Sequence, residues 1–110
     1  MDTNKIIKGS LTVAILQLLQ NNGRMYGYEI SIAISKASRN KIKVTEAALY
    51  PALHKLEASG LVQVDTETVD GRIRKYYKLN RSGKKEAVRQ LLIMQESFAA
   101  LQKVFRYKID

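Results

Sequence analysis

Residues 72–79 carry four cationic side chains and two tyrosines, in the order Arg-Ile-Arg-Lys-Tyr-Tyr-Lys-Leu. Successive side chains of an extended strand point to opposite faces, so one face carries Arg72, Arg74, Tyr76 and Lys78. Guanidinium, ammonium and phenol groups donate hydrogen bonds to phosphate oxygens, and this spacing therefore suits contact with a nucleic-acid backbone. The alternative is a solvated edge strand whose charges prevent pairing with other chains.

A helix is predicted just before this strand, between Thr45 and Gly60. Thr45 is a good N-cap, Glu46 suits the positive end of the helix dipole, and Gly60 suits the residue after the helix, where φ is usually positive. The apolar side chains at helical spacing are Leu49, Ala52, Leu53 and Leu56. The opposite face consists of Ala47, Tyr50, Pro51, His54 and Lys55.

Pro51 is the one residue that disfavours this helix, because it removes a backbone hydrogen bond at a cost of about 3 kcal/mol. We expect a bent or widened turn there, with the proline on the outer face. Small residues beside a flat proline can approach base edges closely. The alternative is an ordinary core helix whose outer face only meets water.

The helix and the basic strand belong to one predicted unit. Residues 61–67 form a strand, Val69-Asp70-Gly71 a turn and residues 72–79 a second strand. Asp-Gly between two strands is a strong hairpin signal. A helix followed by a basic hairpin is typical of a winged helix-turn-helix, in which the helix enters the major groove and the hairpin, or wing, lies along the backbone. The cations predicted to neutralise phosphates are Arg72, Arg74, Lys75 and Lys78.

Two further helices are predicted nearer the N-terminus. The stretch from Ile6 to Gln20 is nearly all apolar, and Asn21-Asn22-Gly23 ends it. Met25 then opens a second helix that runs to about Ala37, and its inner face consists of Ile30, Ala33, Ile34 and Ala37. Gly27 is costly in a helix unless something packs close to it, so we expect it to contact the helix that enters the groove. The basic loop 38–43 is either a phosphate contact or a solvated loop.

The last predicted helix starts at Asn80, which caps it, and runs to about Phe105 or Arg106. Its apolar residues form a heptad seam, which consists of Ala87, Leu91, Met94, Phe98, Leu101 and Phe105. We predict a two-fold dimer built on this seam together with the first helix through Leu11, Ile15 and Leu18. The chain then divides into a DNA-binding part, residues 1–79, and a dimerisation helix, residues 80–110. The alternatives are a core first helix in a monomer and a last helix that folds back on its own domain.

Composition restricts the class of protein. The chain has 110 residues and a net charge of +9, for which nucleic acid is the commonest partner. It has no cysteine, and its one histidine, His54, has no second metal ligand near it in the sequence. No phosphate loop or catalytic constellation is present, so we expect neither an enzyme nor a cofactor or metal. The sequence shows neither a signal peptide nor an apolar run long enough to span a membrane, which predicts a cytoplasmic protein.

Several motifs, in order across residues 8–84, resemble the PadR family of bacterial transcriptional regulators. They are Lys8-Gly9-Ser10-Leu11, Met25-Tyr26-Gly27-Tyr28-Glu29-Ile30, Ala48-Leu49-Tyr50-Pro51-Ala52-Leu53, Gly60-Leu61-Val62 and Lys75-Tyr76-Tyr77-Lys78-Leu79. The last helix is similar to that of the family's short branch. The resemblance implies a homodimeric winged-helix repressor that binds AT-rich inverted repeats of double-stranded DNA and is released by small ligands. It also implies the groove-facing residues, which are Thr45, Ala47, Tyr50, Pro51 and His54.

The effector is less defined than the DNA contact. In multidrug-binding relatives a tryptophan of the last helix stacks on the drug, and Met94 occupies that position here. A drug-stacking pore is therefore not expected. Met94 and Phe98 either line an adaptable cavity for a small apolar or aromatic effector or pack in the dimer core. Two other functions stay open, a winged-helix protein-interaction module and, with fewer features in its favour, an RNA-binding protein.

Overall fold

The computed structural model describes residues 8–110, so residues 1–7, which include the first two residues of the apolar stretch 6–20, lie outside the described residues. A short 3-10 turn, Lys8–Ser10, leads into the first helix. The helices are α1 (Leu11–Asn22), α2 (Gly27–Ala37), α3 (Glu46–Ala58) and α4 (Arg81–Arg106). The strands are β1 (Met25–Tyr26), β2 (Val62–Val69) and β3 (Arg72–Leu79). The predicted class, mainly helical with a small β-hairpin, is confirmed.

Helix α3 begins and ends at the predicted residues. The Thr45 hydroxyl accepts a hydrogen bond from the Ala48 amide at 3.3 Å, and Gly60 follows the helix with φ of 72°. Both features satisfy backbone groups that a helix terminus leaves free. The helix continues through Pro51, which lies on the exposed face. The proline faces outward as predicted, and the expected bent or widened turn stays a prediction.

The core is built from one face of each of the first three helices and the inner face of the sheet. The predicted inner face of α3 is confirmed, since Leu49, Ala52, Leu53 and Leu56 are all buried. In α2, Ile30 and Ile34 are buried and Ala33 packs against the core, but Ala37 is exposed. The expectation for Ala37 was wrong because it is the last residue of α2, where the chain turns away from the core.

Tyr77 on β3 is the largest fully buried side chain, with 1% of its surface exposed. This burial, with a smaller contribution from Glu57, raises the pKa of the Tyr77 phenol.

Above the pKa of an unfolded tyrosine, about 10, the unfolded chain loses the Tyr77 proton first, so the free energy of unfolding should fall as pH rises toward the folded pKa. We expect Tyr77→Phe to lose less stability than wild type over this range. Urea unfolding at a series of alkaline pH values measures this loss of stability. Equal losses in Tyr77→Phe and wild type would contradict a raised pKa at Tyr77.

The sheet is antiparallel, with strand order β1-β3-β2. The hairpin turn has positive φ at both Asp70 and Gly71, 51° and 76°, as a type I′ turn requires. Met25 pairs with Tyr77 and Tyr26 with Tyr76. The prediction that Met25 opens a helix was therefore wrong. Residues 25–26 pair with β3 instead, and α2 starts at Gly27.

Helix α4 divides into two halves with different surroundings. Near its start it packs on α1, where Ala87 is fully buried and the Gln17 side chain donates a hydrogen bond to the Ala87 carbonyl at 2.7 Å. Beyond Met94 every residue of the helix is exposed. The protein is accordingly elongated, with extents of 65 × 31 × 21 Å. Nowhere in residues 8–110 is a helix both long and apolar enough for a membrane span.

Candidate nucleic-acid interface

The outer face of α3 is at the protein surface along its whole length. The predicted contact residues on it are all exposed, and they are Thr45, Ala47, Tyr50, Pro51, His54 and Lys55. The Thr45 hydroxyl is engaged as the N-cap, so its role in the structure is to start the helix. Ala47 and Pro51 have short side chains that project little from this face, whereas the larger Tyr50 side chain is 42% exposed.

The wing extends beyond the core. On the inner face of β3, Tyr77 and Leu79 are buried in the core. Ile73 lies on the same face but nearer the hairpin tip, and it is 77% exposed. Arg72, Lys75 and Lys78 are exposed as well. A hairpin tip whose Ile73 is exposed, and which carries exposed cations, is suited to a partner that supplies negative charge.

A cleft of about 670 Å³ separates the wing tip from the helices. Tyr50 of α3 lines it on one side, Tyr28 at the start of α2 on another, and Arg72 and Lys75 of the wing on the third. The structure therefore brings Tyr50 of the predicted recognition helix to one site with three wing cations, which are Arg72, Arg74 and Lys75. The other predicted contact residues lie outside the cleft lining, and they are Thr45, Ala47, Pro51, His54, Lys55, Tyr76 and Lys78.

Gly27 shows why α2 and α3 approach so closely. A side-chain carbon at this position would lie 3.5 Å from the Tyr50 hydroxyl and 3.6 Å from a methyl group of Leu49. The predicted contact between Gly27 and α3 is confirmed. The exposed Tyr28, the next residue of α2, lines the same cleft as Tyr50, and the sequence did not single it out.

The face of the sheet that carries Arg72 also carries a group of stacked side chains, which we call the outer cluster and which consists of Arg24, Tyr26, Glu67, Arg74 and Tyr76. Two of its members, Tyr26 and Arg74, also line the cleft. The Arg74 guanidinium carbon lies 4.0 Å from the centre of the Tyr26 ring, and the Arg24 guanidinium carbon 3.9 Å from that of Tyr76. Hydrogen bonding to Glu67 raises the pKa of Arg24, and hydrogen bonding to Tyr76 raises that of Arg74.

Arg24, Tyr26 and Glu67 were absent from the predicted site. For Arg24 and Tyr26 the available signal is alternation, because an extended segment 24–26 places its first and third side chains on one face. Read as the opening of a helix, the same residues show no such face. Arg74 and Tyr76, predicted as backbone contacts, are both half-buried in the outer cluster.

The predicted dimer residues fall into three groups. Leu11, Ile15 and Ala87 are buried within the chain itself. Leu18, Leu91 and Met94 are partly buried. Phe98, Leu101 and Phe105 are exposed by 55%, 47% and 73%. Of the predicted dimer residues, those that a second copy can reach without rearrangement therefore lie in the distal half of α4, and the candidate effector contacts Met94 and Phe98 lie at its start. Within the described residues no group of three His, Cys, Asp or Glu side chains could hold a metal ion.

A helix with an exposed face beside a basic hairpin, carried on a small helical core, defines a winged helix-turn-helix protein. Comparison with known proteins specifies the class further. The model of the transcriptional regulator PadR-like family matches residues 15–89. The chain therefore belongs to the PadR-like family of transcriptional regulators, as the sequence motifs predicted. Since members of this family regulate transcription, the expectation that the chain is not an enzyme is confirmed.

Three similar proteins illustrate the match. An uncharacterized protein from Lysinibacillus sphaericus is 39% identical over 85 residues, which are 76% of this chain and 77% of that protein. A transcriptional regulator from Clostridium thermocellum has a TM-score of 0.82 at 27% identity, over 90% of this chain and 96% of that one. Bacillus subtilis PadR, solved in complex with operator DNA, has a TM-score of 0.67 at 30% identity, over 74% of this chain and 46% of that one.

Proposed function

We propose that this protein is a homodimeric repressor that binds an AT-rich inverted repeat of double-stranded DNA. The observation that carries the proposal is the shared cleft between α3 and the wing, which Tyr50, Arg72 and Lys75 line together. The Bacillus subtilis relative was solved with operator DNA, which supports the same use of the fold here. The sequence motifs resemble those of repressors in this family.

In the proposed complex α3 lies in the major groove and the wing lies along the neighbouring backbone. The residues that face the bases are Ala47, Tyr50, Pro51 and His54, with Lys55 at their edge. The cations that neutralise phosphates are Arg72, Arg74, Lys75 and Lys78, and Thr45 and Tyr76 complete the contact surface. In a two-fold dimer the two α3 helices would lie about one DNA turn apart, ~34 Å.

The distal half of α4 supports the dimer. Its exposed apolar side chains include Phe98, Leu101, Val104 and Phe105, which would otherwise remain in water. A second copy related by a two-fold axis offers the same surface, so one set of side chains covers the other. A small apolar effector that contacts Met94 and Phe98 would change DNA affinity only if it bound one dimer shape more tightly than the other.

The test of this function is a binding titration across a salt series. The two duplexes are the DNA upstream of the protein's own gene and a scrambled duplex of equal length. We expect a preference of about several hundredfold for the upstream DNA, with both affinities falling steeply as salt rises. Absence of binding at low salt would overturn the DNA function and favour the alternative, a winged-helix protein-interaction module.

Two variants separate charge from base recognition. Arg72→Ala should weaken binding to both duplexes equally and lower the salt slope by about one unit, because it removes one phosphate contact. Tyr50→Ala should instead reduce the preference between the duplexes, by about tenfold, while the slope stays the same. The same titrations measure both. A slope unchanged in Arg72→Ala would show that the wing tip does not touch the backbone.

A further inference from the structure

The outer cluster connects all three strands of the sheet. Arg24 precedes β1 at one edge, and its guanidinium passes over the Tyr76 ring of β3 and donates a hydrogen bond to the Glu67 carboxylate of β2. The two side chains of this ion pair remain partly exposed, by 39% and 46%. Cation–π contacts of arginine are favourable at such surfaces because the flat guanidinium covers the ring while keeping its hydrogen bonds.

A second contact crosses the first in the same cluster. Arg74 of β3 covers the Tyr26 ring of β1 and donates a hydrogen bond to the Tyr76 hydroxyl at 3.4 Å. The Tyr26 and Tyr76 rings meet edge to face, with centroids 5.4 Å apart. Each arginine therefore stacks on a tyrosine of the other strand.

The cluster joins the wing to the start of α2. The amide of Tyr26 donates a hydrogen bond to the Glu29 carboxylate in the first turn of α2, at 3.1 Å. The outer part of the wing, residues 65–75, otherwise has little apolar support, and β1 contributes only two paired residues. Since α2 contacts α3 at Gly27, the cluster fixes the wing relative to the recognition helix.

We propose that Arg24 and Glu67 are positioning residues for DNA binding, which hold the wing at the angle at which its cations and α3 reach DNA together. This inference rests on the proposed DNA-binding function. It assigns a role to Arg24, which precedes β1 and lies outside the wing, and to Glu67, whose carboxylate a phosphate would repel.

Glu67→Ala gives the sharpest test, because charge and position predict opposite signs. Removing a negative charge near DNA should strengthen binding if only charge matters, whereas loss of the wing's support should weaken it. We expect roughly tenfold weaker binding to both duplexes, since the wing must then be ordered on binding. The matched control is Asp65→Ala on the same strand and face, for which the described residues show no ion pair. It should bind as well as wild type or more tightly.

Arg24→Ala should show the same roughly tenfold loss with an unchanged salt slope, because Arg24 touches no phosphate. Its control is Arg89→Ala, which removes an arginine that is also ion-paired, with Glu86 on α4. Amide hydrogen exchange of the free proteins adds a readout that needs no DNA. Residues 65–75 should exchange faster in both cluster variants than in wild type, and the rest of the protein should not.

Several results would overturn the positioning role. One is a Glu67→Ala variant that binds like Asp65→Ala, and another is an Arg24→Ala variant whose salt slope falls by about one unit, as a direct phosphate contact requires. If both variants kept wild-type affinity and wild-type exchange rates, the positioning role would be overturned and the proposed DNA-binding function would stand. A wild-type protein that binds neither duplex would overturn the proposed function and, with it, this role.

Discussion

Replacing Gly83 with alanine is expected to lower the free energy of unfolding by about 3 kcal/mol. Gly83 lies in the first turn of α4, where an added Cβ would be 2.0 Å from the Leu61 carbonyl oxygen and 3.1 Å from a Leu79 methyl group. The Leu61 oxygen also accepts a hydrogen bond from the Asn80 amide, so it cannot retreat without cost. Helix α4 must therefore move away from the sheet. Urea unfolding followed by circular dichroism measures the loss.

The sign of this effect is informative. In an exposed helix interior, glycine to alanine stabilises by about 1 kcal/mol, so propensity alone predicts the opposite result. Gly9→Ala is the matched control, because a Cβ there meets nothing within 4 Å. It should leave stability unchanged or slightly higher. A Gly83→Ala variant as stable as wild type would mean that α4 does not pack on Leu61 as described.

The parts of the fold that the sequence predicted correctly have local signals. Thr45 and Gly60 delimit α3, and their side-chain and φ requirements act within a few residues. Asp70-Gly71 determines the hairpin turn, and the turn then sets the register of β2 against β3. Once both elements were placed, alternation and helical spacing assigned the faces. The exposed face of α3 and the wing cations followed from these steps alone.

The parts that the sequence did not predict depend on distant pairing. Residues 25–26 form a strand only because β3, about fifty residues further along the chain, provides an edge for them. Without that strand Arg24 and Tyr26 have no common face, and the outer cluster cannot be foreseen. The close approach of Gly83 to Leu61 is likewise a contact between two elements, with no local pattern that reports it.

The seam of α4 shows how one pattern can serve two surfaces. Apolar residues at heptad spacing predicted a single dimer interface from Ala87 to Phe105. In the structure Ala87 packs on α1 of the same chain, and only the distal part of the seam is exposed. The spacing that buries one half against the protein's own core continues without a break into the other half. Periodicity identifies a buried face but not the partner that buries it.

Phe98→Glu is therefore expected to separate folding from dimerisation. Phe98 is 55% exposed and lies in the distal seam, so a glutamate there should leave the monomer folded. In the proposed dimer it would place two unpaired carboxylates in an apolar interface and raise the dimer Kd at least about 100-fold. Affinity for an inverted repeat should then fall about 100-fold or more, because the second half-site no longer binds as part of the same molecule.

Light scattering and the duplex titrations measure these two effects. Ala100→Glu is the matched control, since it adds the same charge two residues away, outside the heptad seam of α4. It should remain dimeric and keep its preference for the upstream DNA. Binding of Phe98→Glu to the scrambled duplex should change much less, because each wing still contacts phosphate by itself. If Phe98→Glu stayed dimeric with full preference, the two copies would have to meet through a surface other than distal α4.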